Sequence, residues 1–270
     1  MLRMRRVFAA AALAALVALG LSPAPGGADP VAHLAWDDCG SAGVVTRTFA
    51  CNSNAGTEQL IVSFVPPAGI SAFGGLELRI QLMDENYDLA SLPAWWRMLT
   101  GGCRPTSLSA QVRPAGQSGC ANPWADGAIG ATSMSSTAPG VIRAVAANLP
   151  GSELPLDPAL EYYGLRIQIN HARSTGDGVC VGCSTAIGMA LSYLKLSQPP
   201  GTGDYTYNFF TYDSMCRFIG APPPYVNWQC EGTPILQADR DPCHLAGWVF
   251  PNCATPTQQP TWGKIKALYR

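Results

Sequence analysis

The chain has 270 residues, a formal net charge of −1 and only 13% charged residues against 47% hydrophobic ones. So mild a charge offers no electrostatic reason for nucleic acid or an anionic membrane as partner, and no nucleic-acid function is expected. With 28 glycines and 23 prolines, the composition suits strands joined by turns rather than long helices.

Arg3, Arg5 and Arg6 precede an apolar run from Val7 to Leu21, and small residues follow at Gly26, Gly27 and Ala28. That layout predicts a secretory signal peptide, residues 1–28, cleaved after Ala28. Arg5-Arg6 reads as an ordinary basic start rather than a twin-arginine signal. The apolar run is short for a membrane span, so no transmembrane segment is expected after cleavage. Loss of these three arginines from 17 basic residues leaves 14 against 18 acidic ones, and all ten cysteines stay in the mature chain.

An even cysteine count in a secreted or periplasmic chain predicts a disulfide framework. The candidates are Cys39, Cys51, Cys103, Cys120, Cys180, Cys183, Cys216, Cys230, Cys243 and Cys253. Proximity along the chain pairs Cys39 with Cys51, Cys103 with Cys120 and Cys180 with Cys183. The last four can pair among themselves in three ways, and spacing does not choose between them.

From His33 to Ala50 the chain reads as polar and turn-rich, with a short edge strand within Val44–Phe49. Leu60 to Val65 predicts a strand buried on both faces, ended by Pro66-Pro67. Leu76, Leu78, Ile80 and Leu82 alternate with Glu77, Arg79 and Gln81, the pattern of a half-buried strand. Pro93 opens a single helical turn over Ala94-Trp95-Trp96. Leu108 to Val112 predicts another strand, followed by a loose Gly/Ser/Ala stretch to Gly140, and Val141 to Leu149 one more.

The clearest pattern lies between Leu160 and Gln198. Leu165, Ile167, Ile169 and His171 share one face, and after a glycine-rich turn Ile187, Met189 and Leu191 share another. Leu194 and Leu196 then take the opposite parity, which predicts a β-bulge near Ser192 or Tyr193. The two strands read as a hairpin closed at its tip by a Cys180–Cys183 clasp. Together these elements predict an all-β fold, an antiparallel β-sandwich of jelly-roll or Ig-like type, over residues 29–200. Ten aromatics fall in the 46 residues from Tyr205 to Phe250, against 9% for the whole chain. Residues 201–270 are therefore expected to form an aromatic, cysteine-rich extension, pinned by disulfides and packed on the sandwich.

The segments Leu34-Ala35-Trp36-Asp37-Asp38-Cys39-Gly40, Cys180-Val181-Gly182-Cys183 with Leu191 to Pro199, and the closing Thr261 to Arg270 resemble a group of uncharacterised exported bacterial proteins. The resemblance covers residues 34–200 and the last ten. It implies export and kinship, and because the group carries no assigned activity it implies no site.

Each candidate for chemistry has a structural counterpart. Cys180 and Cys183 have the spacing of a thiol-disulfide redox pair, but no helix pattern follows to lower a thiol pKa, so a structural disulfide is expected. Zinc would want a second close pair, which Cys216 and Cys230 do not supply. Asp84, Asn86 and Asp88 place oxygens at alternate positions, a candidate weak calcium site, although Leu89 and Trp95 stand where an EF-hand needs glycine and glutamate. No other cofactor is indicated. His171 with Asp177 could pair as base and orienter, and paired carboxylates of a polysaccharide hydrolase could be drawn from Glu77, Glu85, Glu153 and Glu161. Trp95, Trp96, Tyr205, Tyr207, Tyr212 and Trp228 are candidate platform aromatics for a polysaccharide or an envelope protein. The expected function is a non-catalytic binding or cell-surface module, with a secreted hydrolase and a thiol-disulfide enzyme as alternatives.

Overall fold

The structure, a computed structural model, describes residues 30–83, 92–134, 140–207, 209, 224–228, 235–236 and 248–249. The expected signal peptide, Cys216, Cys230, Cys243, Cys253, Tyr212, Asp84, Asn86, Asp88, Glu85 and the closing ten residues lie outside them.

Two strands dense in branched apolar residues lie at the centre of one sheet. β3 (Thr57–Val65) runs antiparallel to β8 (Tyr162–Asn170), with Leu60 opposite Ile167 and Val62 opposite Leu165. β1 (Val31–Trp36) flanks β3 and β5 (Leu108–Gln111) flanks β8, giving the order β1-β3-β8-β5. The second sheet centres on β4 (Gly75–Met83), which lies between β7 (Val141–Ala147) and β9 (Ile187–Ser197). β6 (Ile129–Met134) adds an edge beside β7, and β2 (Thr46–Arg47) forms the other edge beside β11 (Tyr225–Trp228). A short ladder, β12 (Ile235–Leu236) with β13 (Trp248–Val249), stands outside both sheets.

The two inner faces pack on each other as an antiparallel β-sandwich, with the β2–β11 pair its one parallel ladder among the described residues. Leu60, Val62, Phe64, Leu165, Ile167 and Ile169 from one sheet meet Leu78, Ile80, Ile142, Leu191 and Leu194 from the other, all fully buried. Each such side chain contributes on the order of 2 kcal/mol of burial. The fold class expected from alternation is the one observed.

The bulge falls where the change of parity places it. Arg79 faces Tyr193 and Ile80 faces Leu191, so Ser192 is the extra residue that keeps both apolar sets on the core side. A second bulge puts Gly164 between Leu165 and Tyr163, where a side chain would strike the Val62 carbonyl.

Three expectations are corrected. β8 and β9 are not a hairpin: they belong to opposite sheets, and the segment between them crosses from one to the other. β1 was hidden in the turn-rich opening, where small alanines weaken the alternation of Ala32, Leu34 and Trp36, all buried. β6 was hidden because Ile-Gly-Ala-Thr-Ser-Met has little apolar periodicity; it is an edge strand held by its pairing with β7.

Beyond Pro199-Pro200-Gly201 the chain returns to the second sheet. β10 (Tyr205–Tyr207) lies along the C-terminal half of β9, and β11 lies along its N-terminal half. Tyr207 seats its ring near Phe64 and donates its hydroxyl to the Val65 carbonyl at 2.7 Å, bridging the sheets.

Candidate binding surface at the cross-linked end of the sandwich

The strand registers bring the start of β3, the end of β8, the start of β5 and the start of β9 to one end of the sandwich. Three loops meet there and are covalently joined. Cys51 bonds Cys183 across a separation of 132 residues, and Cys103 bonds Cys180 across 77. The third disulfide, Cys39–Cys120, fastens two loops over the outer face of the first sheet. The neighbour pairings Cys39–Cys51, Cys103–Cys120 and Cys180–Cys183 are thus all overturned. Cys180 and Cys183 each hold a different loop, so they are neither a clasp nor a dithiol pair. All six cysteines among the described residues are in disulfides.

Polar contacts fix the same loops. Arg104 is 1% exposed and stacks on Trp95, its Cζ 3.4 Å from the ring centroid. Its guanidinium donates to the carbonyls of Ala172 and Trp95, each at 2.9 Å, and to that of Asn170. Burial lowers this group to about 9. Asn54 pairs its amide with the backbone of Thr175 in both directions, at 3.0 Å each. The Trp95 amide donates to Val181 O at 2.9 Å, and Gly182, at φ +96°, lies against Pro93 where a Cβ would clash. What this rigid frame presents to solvent is Val179, 46% exposed, and Val181, 70% exposed.

Beneath the loops a polar chain, buried at His171 and Glu58 and open to solvent at Asp37, closes the core. His171 Nε2 is 3.0 Å from Glu58 Oε1, and Nδ1 is 3.0 Å from the Ala55 carbonyl. Both ring nitrogens therefore face oxygen atoms, the carboxylate on one side and the backbone carbonyl on the other. Arg47 Nε donates to the other Glu58 oxygen, and Arg47 Nη1 is 2.8 Å from Asp37. Both His171 and Glu58 are buried, and Phe49 lies against the imidazole. This is a structural closure. His171 has Glu58 as its neighbour rather than Asp177, so the base-and-orienter pairing is not the one observed.

A second polar cluster lies outside the first sheet. Glu161 Oε1 accepts from Ser63 Oγ at 2.6 Å and sits 2.8 Å from His33 Nδ1. Burial would raise the Glu161 carboxyl, but the bonds from His33 and Ser63 outweigh it and hold the group below its usual range, against the opposing charge of Asp38. Asp38 is also held low: burial raises it, and the backbone amides of Cys39, Ser118 and Gly119 with the Ser118 hydroxyl more than compensate.

The platform aromatics and acids scatter. Trp95 and Trp96 are fully buried and pack edge-on, so they are core rather than platform. Tyr207 is buried and Tyr205 half-buried, while Trp228 lies in β11 with its side chain outside the description. Glu77 pairs with Arg79 on the outer face of the second sheet, Glu153 holds the Gly151 turn, and Glu161 lies outside the first sheet; the three do not converge. Asp37 and Glu58 approach each other through Arg47, and neither carries a sequence signal beyond its presence. Among the described residues no group of three or more His, Cys, Asp or Glu side chains could hold a metal ion, and no helix is long and apolar enough to cross a membrane.

No family model and no curated protein matches the chain. Among solved structures it is similar to a cohesin module of a family 33 glycoside hydrolase from Clostridium perfringens, at 9% identity and TM-score 0.32, over 74% of this chain and 98% of that one. It is also similar to the second type II cohesin module of the ScaA scaffoldin of Acetivibrio cellulolyticus, at 13% identity and TM-score 0.28, over 66% of this chain and 85% of that one. Similarity this loose transfers no site.

Proposed function

We propose that the chain is an exported, non-catalytic binding or cell-surface module that docks an envelope protein through the cross-linked end of its sandwich. The observation that carries this reading is the exposure of Val179 and Val181 on a loop immobilised by two disulfides. Exposed apolar side chains on a mobile loop lose much of their binding energy to ordering, whereas a pre-organised loop loses little. Three disulfides agree with an oxidising compartment, and kinship with exported bacterial proteins belongs to the same reading.

The test is a pull-down of envelope proteins with the disulfide-intact mature chain and with Val179→Asp/Val181→Asp. Both positions are exposed, so the variant should unfold at the wild-type midpoint while losing the captured partner. Retention of the partner by the variant would refute this surface. Capture of nothing by the wild type would count against the module itself.

A further inference from the structure

The outer face of the first sheet carries a polar row. Residues opposite each other in an antiparallel pair point to the same side. Ser109, Gln168 and Gln59 therefore line up across β5, β8 and β3, with Gln111 and Arg166 in the next row. Strands stand about 4.8 Å apart, so the first row spans roughly 10 Å. Ser109 and Gln111 are exposed, and Gln168 and Gln59 are half-buried. Gln117 leans over from the loop after β5, its Nε2 donating to Asp37 O at 3.1 Å and to Gln59 Oε1 at 3.4 Å.

Arg166 is the group in this row whose surroundings do not account for it. It is 9% exposed, and among the described residues its Nε has no hydrogen-bond partner. It makes no ion pair among the described residues, and its Nη1 has one long bond, 3.3 Å, to Gln59 Oε1. Arg104 shows what a structural buried arginine looks like in this fold: three carbonyls accept from it and an indole stacks on it. A guanidinium removed from water without such partners is costly unless a counter-charge arrives.

We propose that this row is a binding site for an acidic saccharide, with a uronate carboxylate on Arg166 and neighbouring hydroxyls on Gln59, Gln168 and Ser109. A guanidinium fork matches a carboxylate bidentately. Amide and hydroxyl side chains both donate and accept, as sugar hydroxyls do. An acidic peptide would use Arg166 and leave the amide row unanswered.

Calorimetry on the disulfide-intact protein at low salt tests the site with oligogalacturonate, its fully methyl-esterified form and polyglutamate. Oligogalacturonate should bind. Its affinity should fall at least tenfold in Arg166→Gln and about threefold or more in Gln168→Ala and Ser109→Ala, whose unfolding midpoints should match wild type. The methyl ester and polyglutamate should bind at least tenfold more weakly. If Arg166→Gln does not fold, the Gln168→Ala and Ser109→Ala variants decide. No binding of oligogalacturonate, equal binding of the ester or of polyglutamate, or undiminished affinity in both row variants would each overturn the proposal. Val179→Asp/Val181→Asp should leave saccharide binding unchanged, so this site and the protein-docking surface stand or fall separately.

Discussion

At Gly40 two constraints meet in one residue. Its φ is +47°, and a Cβ there would stand 2.5 Å from Glu161 Oε2. Gly40→Ala should therefore cost about 2 kcal/mol, combining the left-handed backbone penalty with displacement of the carboxylate. Urea unfolding measures it, and a loss below about 0.5 kcal/mol would mean that Glu161 moves aside at no cost. The same carboxylate gives the fold a pH dependence. Glu161 and Asp38 are both lowered in the folded state, so their contribution is complete above their ordinary values of 4.5 and 3.8 and is lost as pH falls through the lowered ones. Urea midpoints taken from about pH 6 to about pH 3 should fall in the acid half, and Glu161→Gln should flatten part of that fall. An unchanged profile in Glu161→Gln would remove this residue from the account.

Among the elements, β4, β8 and β9 were legible because each alternates bulky apolar residues for most of its length, and Ser192 betrayed its bulge by reversing the alternation of β9. β3 was legible because its apolar run is continuous, and β7 because its apolar run alternates buried and exposed positions. β1 and β6 were not, since their pairing is carried by backbone bonds and small side chains. Cysteine pairing was illegible for a different reason. Spacing along the chain favours neighbours, but consecutive strands here mostly cross between sheets, and the crossings set Cys180 against Cys103 and Cys183 against Cys51. These long closures should matter energetically. Replacing Cys51 and Cys183 by alanine should destabilise the fold by about 3–5 kcal/mol on the chain-entropy account. The Cys103–Cys180 loop lies inside the 51–183 loop, so removing both bridges should cost less than the two losses added together. Guanidinium unfolding under non-reducing conditions gives the comparison, and an unshifted midpoint in the first pair would show that the bridge closes an end already held by packing.

For the whole molecule the same crossings govern both what could be foreseen and how the chain should fold. The sandwich could be inferred from periodicity, but its sites could not. His171 lies more than a hundred residues beyond Arg47 and Glu58 and meets them only because β2, the start of β3 and the end of β8 share one end. Folding faces the same non-local problem. β3 pairs with β8 and β4 with β9, each partner about a hundred residues away along the chain, so closure entropy must be overcome before most native contacts form. The Cys51–Cys183 bridge holds the start of β3 near the start of β9 even in denaturant. A chain denatured with disulfides intact should therefore refold at least about tenfold faster than one that must form them, because oxidation takes seconds to hours. Stopped-flow fluorescence can follow this through Trp36, Trp95, Trp96 and Trp124, all buried in the native core. Equal rates from the two starting states would mean that strand pairing, rather than cross-linking, limits folding, and would place the value of the bridges in the finished cross-linked end.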